Sequence, residues 1–245
     1  MHISRKYFSL INKIIVFIFI LFIFNNTSSN CYSEITSNSN EKVAYLTFDD
    51  GPSKNTPLIL DILKENDINA TFFIISPYIE EHINIVKRAF TEGNAIGNHT
   101  ADHEYKHIYI SEDAFFNNFE KQQKFIKEVT GTDCTIFRFP GGSHNTVVAN
   151  SRGKDFTKNI TQKLNTQGIN VYDWNIDSGD SKGNNIPASK LVQNICKEIK
   201  DKDGNYKNPA IILMHDCMTK TTTVEALPEI INFLKNEGYT FKTLK

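Results

Sequence analysis

Six residues, Val43 Ala44 Tyr45 Leu46 Thr47 Phe48, are β-branched, aromatic or aliphatic, and they run directly into Asp49 Asp50 Gly51 Pro52. Such a run suits a strand buried on both faces, and the Gly-Pro pair ends it. Two adjacent carboxylates therefore sit at the C-terminal mouth of an early strand, where α/β sheets keep their chemistry. Neighbouring negative charges repel, so such a pair is kept where a metal or a proton transfer separates the two roles. On these residues alone, an Asp-Gly-Pro turn that only ends the strand remains the alternative.

The rest of the chain repeats the alternation of apolar strand and amphipathic helix. Strands are expected at Ala70–Ile75, Ala95–Gly97, Thr135–Phe139, Ile169–Trp174, Ala210–Met214 and Tyr239–Leu244. Between them, Thr56 and Pro57 open a helix with Ile59, Ile62 and Leu63 inward, and Pro77 opens one carrying Ile79, Ile83, Val86 and Phe90. Ser111 caps a long helix through Val129, one helix runs to Leu164, Pro187 begins another, and Val224–Leu234 is the last. Seven strands alternating with helices predict a parallel α/β architecture, a distorted (β/α) barrel in preference to an open sheet.

Arg5, Lys6 and Lys13 precede an eleven-residue apolar run, Ile14 to Phe24, shorter than the roughly 17–25 residues of a full span. Residues 1–24 are thus expected to be a signal peptide or short membrane anchor, 25–41 a polar linker, and 42–245 one catalytic domain outside the cytoplasmic membrane. A net charge of −1 gives no basic face for nucleic acid. Of the four cysteines, Cys31 falls in the linker, while Cys134, Cys196 and Cys217 have no metal-like spacing and read as small buried residues.

Polar residues of chemical interest fall just past the strand ends: Asp49-Asp50, His99 with His103, Arg138, Asp177 and Asp180, and His215-Asp216. His99 and His103 are four apart, so a single helical turn would point both imidazoles at one ion, with a carboxylate from elsewhere as third ligand. A lone pair of histidines at that spacing is more often incidental. Convergence with several strand ends changes that balance.

These residues resemble the polysaccharide deacetylases of the NodB homology type, carbohydrate esterase family 4. Thr47–Pro52 (TFDDGP), His99–His103 (HTADH), Arg138–Gly142 (RFPGG) and Leu213–Asp216 (LMHD) are similar to its first, second, third and fifth motifs, in order and spacing. The resemblance implies a distorted barrel and one divalent metal ion on Asp50, His99 and His103, Zn²⁺ before Co²⁺ or another. It further implies Asp49 as general base, Arg138 orienting Asp49, His215 as general acid and Asp180 holding His215 as imidazolium. The Gly141 N–H, with Pro140 beside it, would stabilise the intermediate, and Leu213 would pack on the acetyl methyl. The fourth motif departs from the family: where Asp-Trp is usual, Asp180 is followed by Ser181, so the aromatic wall of the groove is missing there, with Trp174 beside Asp173 as an offset substitute.

The substrate implied is N-acetylglucosamine in peptidoglycan, since RFPGG resembles the peptidoglycan-acting branch more than the chitin or xylan branches, and a monomer at the cell surface is expected. A non-haem Fe(II) oxygenase also uses two histidines and a carboxylate, but leaves Asp49 and His215 unexplained. A carbohydrate-binding pseudoenzyme would have lost one of the chemical residues, and none is missing.

Overall fold

The structure is a computed structural model that describes residues 41–75 and 80–245; the expected leader, most of the linker, Pro77 and Ile79 lie outside them. Eight short strands form one parallel sheet: β1 (Lys42–Asp49), β2 (Thr71–Ile74), β3 (Ala95–Asn98), β4 (Ile136–Phe137), β5 (Asn170–Val171), β6 (Ile176–Asp177), β7 (Ala210–His215) and β8 (Tyr239–Phe241). Around them are α1 (Asn55–Glu65), α2 (Glu80–Thr91), α3 (Tyr105–Ile108), α4 (Glu112–Thr130), α5 (Thr146–Arg152), α6 (Phe156–Thr166), α7 (Ala188–Glu198) and α8 (Thr221–Asn236). No described helix is long and apolar enough to cross a membrane.

The strand order is β5-β4-β3-β2-β1-β7-β6, with β8 added beside the start of β1. β1 is the centre, and Ala44, Leu46, Thr47 and Phe48 are all fully buried, as a strand covered on both faces must be. Register then aligns the strand ends. Asp49 lies opposite Phe73 of β2 and His215 of β7, while Asn98, just before His99, lies opposite Phe137, just before Arg138.

The expected fifth strand, Ile169–Trp174, is shortened to Asn170–Val171, and a further strand, not expected from the sequence, forms at Ile176–Asp177. Only Asn170–Val171 pairs with β4, and the chain leaves the sheet at Tyr172 before Ile176–Asp177 joins β7 on the opposite edge. β5 and β6 are thus the two sheet edges, and the barrel closes through residues 172–175 instead of a hydrogen-bonded ladder. That seam leaves carbonyls without strand partners, and Arg138 takes two of them: Nε donates to Tyr172 O (3.1 Å) and Nη2 to Asp173 O (3.2 Å).

Two apolar clusters hold the elements in place. One surrounds β1 and β7, with Leu46, Phe48, Ile212 and Met214 beneath α1, α7 and α8. The other is aromatic: Phe115 and Phe119 of α4 meet Phe137 and Phe139, with Phe115–Phe139 centroids 5.5 Å apart and Phe137–Phe139 4.9 Å. Each buried ring contributes about 1.5–3 kcal/mol, and together they fix the ground on which the Arg138–Gly142 loop stands. α4 carries its expected cap, the Ser111 hydroxyl accepting from Ala114 N at 3.1 Å, and ends at Gly131 in the left-handed conformation.

Candidate active site

Arg138 is a buried charge with four hydrogen bonds. It is fully buried; Nη1 donates to Asp49 Oδ1 (2.9 Å) and Thr47 Oγ1 (2.7 Å), and its guanidinium carbon lies 4.2 Å from the Phe73 ring centre. A surface ion pair is therefore excluded. Burial of both partners makes the pair costly to break from one side, on the order of 3–5 kcal/mol, and it fixes one Asp49 oxygen while Oδ2 faces His99 Nε2 at 3.8 Å.

Asp50, immediately after, has φ +71°, a left-handed turn that Asp tolerates better than bulkier residues, and this swings its carboxylate away from that of Asp49. Asp50 Oδ1 lies 3.4 Å from His99 Nε2 and 3.5 Å from His103 Nε2. His99 Nδ1 is 2.8 Å from the Arg138 carbonyl, which makes Nδ1 the protonated nitrogen and leaves the Nε2 lone pair facing Asp50. The two imidazoles do not share a helical turn as the spacing predicts. Thr100 has φ +67°, and Asn118 Oδ1 accepts from the Ala101 and Asp102 amides, so a tight non-helical loop brings the rings together.

One ligand atom from each of Asp50, His99 and His103 lies within 4.8 Å of the others, and Asp50 Oδ1 is buried with no hydrogen-bond partner. An orphaned carboxylate oxygen between two imidazole nitrogens is the donor set of one divalent ion, and the residues fit it. Charge agrees as well. Burial alone would raise the Asp50 carboxyl, but the His99 imidazole beside it, with His103 and His215 beyond, holds it below the usual carboxylate range. Burial pushes His103 down, toward the neutral form that ligates.

On the far side, His215 Nδ1 is 2.8 Å from Asp180 Oδ1, and its backbone N–H donates to Asp180 Oδ2 at 2.8 Å. Thr223 Oγ1 donates to the same oxygen (2.9 Å), and Lys220 Nζ to the Asp180 carbonyl (2.8 Å). Burial would lower the imidazole, but the bond and charge of Asp180 raise it to about 9. Of the three candidate carboxylates near the fourth motif, only Asp180 reaches His215: Asp173 accepts from Ser143 N and Oγ, and Asp177 from Gly179 N.

The match to known proteins decides the family. A sequence model described as polysaccharide deacetylase covers residues 36–170, more than half of the chain. The chain belongs to the polysaccharide deacetylase family. A peptidoglycan-N-acetylglucosamine deacetylase of Bacillus cereus is 33% identical over 201 residues, 82% of this chain and 68% of that protein. The crystal structure of the catalytic domain of peptidoglycan N-acetylglucosamine deacetylase from Eubacterium rectale matches with TM-score 0.76 at 35% identity, covering 85% of this chain and 90% of that one. A bifunctional xylanase/deacetylase of Pseudobutyrivibrio xylanivorans is 33% identical over 221 residues, 90% of this chain but 32% of its own length.

In this polysaccharide deacetylase the third motif forms a tight loop. Pro140 is buried and its carbonyl accepts from the Tyr109 hydroxyl (2.9 Å), while Gly141 is exposed at φ +76°. Leu213 is 4% exposed in β7, opposite Thr47. Ser181 lies in a single 3₁₀ turn after Asp180, without an aromatic ring. Trp174 packs elsewhere: a Cβ at Gly142 would lie 3.0 Å from its indole, and its ring centre is 5.7 Å from the Arg138 guanidinium. Sequence reasoning missed Thr47, Thr223 and Lys220, whose polar heads support Arg138 and Asp180. The signal for Thr47 and Thr223 is a hydrophilic residue inside a strand or helix face otherwise given to the core, whereas Lys220, just before α8, gives none.

Proposed function

We propose that this polysaccharide deacetylase removes the acetyl group from N-acetylglucosamine units of peptidoglycan at the cell surface, reached through the N-terminal leader. The observation that carries the reading is the pairing of two separately anchored groups, Asp49 on Arg138 and His215 on Asp180, around the Asp50–His99–His103 cluster. Amide hydrolysis needs a base for water and an acid for nitrogen, and the two pairs supply one each.

Asp50, His99 and His103 would hold one divalent ion, Zn²⁺ in this reading, which when bound polarises the acetyl oxygen and acidifies water. Asp49 takes the proton of the attacking water through Oδ2, since Arg138 occupies Oδ1. The Gly141 N–H donates to the oxygen that gains charge. His215, held protonated at neutral pH by Asp180, gives its proton to the departing nitrogen, which could not leave as an anion. Leu213 and Pro140 wall the place of the methyl group.

Peptidoglycan differs from chitin and xylan in carrying peptides with free carboxylates. A cavity of about 540 Å³ beside the third motif is lined by Ser143, His144, Asn145, Lys154, Lys158 and Thr161, with no acidic residue, and this favours the anionic polymer. The test incubates the protein with peptidoglycan and with chitin oligomers and measures free acetate. Faster release from peptidoglycan is expected; release from chitin oligomers alone would reassign the substrate.

A further inference from the structure

Tyr105 opens α3, two residues after His103, and no role has fallen to it. Its ring centre lies 5.7 Å from that of His103 and meets Tyr109 edge-on at 5.3 Å. The segment is fastened to the third-motif loop twice. The Tyr109 hydroxyl donates to Pro140 O (2.9 Å), and Asn145 Nδ2 donates to Tyr105 Oη (2.7 Å). Asn145 is itself fixed, because its Oδ1 caps α5 by accepting from Val147 N at 2.9 Å.

Two observations set Tyr105 apart from a packing residue. A Cβ at Gly141 would lie 2.0 Å from Tyr105 Oη, so the phenol oxygen fills the space where a side chain at 141 would begin. Glycine there admits both the +76° φ and the phenol. In addition, the Asn145 amide already donates to Oη, so the phenol's own proton is left over, and it meets no acceptor among the described residues. The Gly141 N–H likewise meets none among them, the nearby turn being closed by Gly142 N on Phe139 O (2.8 Å).

Two unused donors, one backbone and one side chain, therefore stand side by side next to the metal-binding cluster. We infer that Tyr105 is a further catalytic residue whose O–H joins the Gly141 N–H in donating to the acetamide oxygen as it gains negative charge. The inference rests on the deacetylase reading, and it adds a donor that the third motif itself does not contain. Such donors act chiefly in the transition state, and removing one costs roughly 10²–10³-fold in kcat. Asn145 is then a positioning residue, turning the phenol proton away from itself.

The experiment compares the full, metal-loaded protein with Tyr105→Phe and Asn145→Asp, on peptidoglycan and on chitin oligomers. Tyr105→Phe keeps the ring contacts and should lower kcat about 100-fold, with KM and metal content near wild type. Asn145→Asp still caps α5 but offers a carboxylate that accepts the phenol proton, so it should show a similar loss, and the double variant no more than either. Binding of acetate, measured by calorimetry, should weaken about tenfold in Tyr105→Phe. A Tyr105→Phe enzyme with wild-type kcat, or one changed only in KM, would overturn the inference. Wild-type protein that binds acetate through Tyr105 yet releases none from either glycan would leave the donor pair standing and overturn the proposed reaction.

Discussion

Asp180 and Asp216 flank His215, are each about 1% exposed, and their carboxyls move in opposite directions. Asp180 receives the His215 ring, the His215 amide and the Thr223 hydroxyl; burial would raise it, but these donors and the imidazole charge bring it below the usual range. Asp216 receives only the Thr56 hydroxyl (2.5 Å), its Oδ1 has no partner, and burial pushes it up to about 7, with Asp50 and Asp49 adding repulsion. Burial is equal at the two positions, so the donors decide the charge. The consequence is a division of labour. Asp180 is the anion that keeps His215 an acid, whereas Asp216 is a buttress. Its carboxyl backs against Gly51, where a Cβ would come within 2.1 Å, its amide donates to Asp49 O, and its carbonyl accepts from Ser53 Oγ.

The largest expected effect concerns the metal-binding cluster beside these two carboxylates. With His99 and His103 both replaced by Ala, metal analysis should fall from about one equivalent to near none and acetate release should vanish with it. Retained metal would mean that His99 and His103 are not its ligands.

Next is Asp49→Asn, which keeps the size of the side chain and an acceptor for Arg138. Turnover should drop by roughly 10²–10⁴-fold while metal content holds, as for loss of a general base. Loss of the metal in that variant would exchange the roles of Asp49 and Asp50. It would also show that a buried carboxylate held at one oxygen by an arginine can still be a ligand.

The smallest effect separates the buttress from the working anion. Because folding raises the Asp216 carboxyl from 3.8 to about 7, its contribution to stability is full below about pH 4 and is lost as pH rises through 7. Asp216→Asn, neutral at every pH, should therefore melt about 2–4 °C above wild type at pH 8 in the metal-free protein and match it more closely at acid pH. A lower melting point at pH 8 would show that the Asp216 anion is used.

Much of this site was legible because apolar strands end abruptly in polar residues. Phe48 to Asp49, Gly97 to His99, Phe137 to Arg138 and Met214 to His215 each mark a strand mouth, and parallel register brings those mouths together. Asp180 stood out with Asp177 past a strand end, but its pairing with His215 was legible only through its motif, since the chain leaves the sheet two residues before it. The shortening of Ile169–Trp174 to Asn170–Val171 and the separate edge strand Ile176–Asp177 were not legible, because the seam depends on Arg138 reaching carbonyls more than thirty residues away. Nor was the loop joining His99 to His103. Helical spacing is the simplest way to aim two imidazoles at one point, but Thr100 in a left-handed conformation and the Asn118 side chain do it here.

The central claim is that Asp49 with Arg138 and His215 with Asp180 act as base and acid on opposite sides of one metal-binding cluster. The pH–rate profile of Asp180→Asn tests it most directly. With His215 raised to about 9, the acid form persists through neutrality and is lost as pH climbs past that value. Without the Asp180 charge, burial acts on the imidazole unopposed by its nearest anion, so the basic limb should move to lower pH. Asp173→Asn and Asp177→Asn, whose carboxylates bond elsewhere, should leave the limb in place. A limb that stays put in Asp180→Asn and moves in either of the other two would contradict the assignment of the acid.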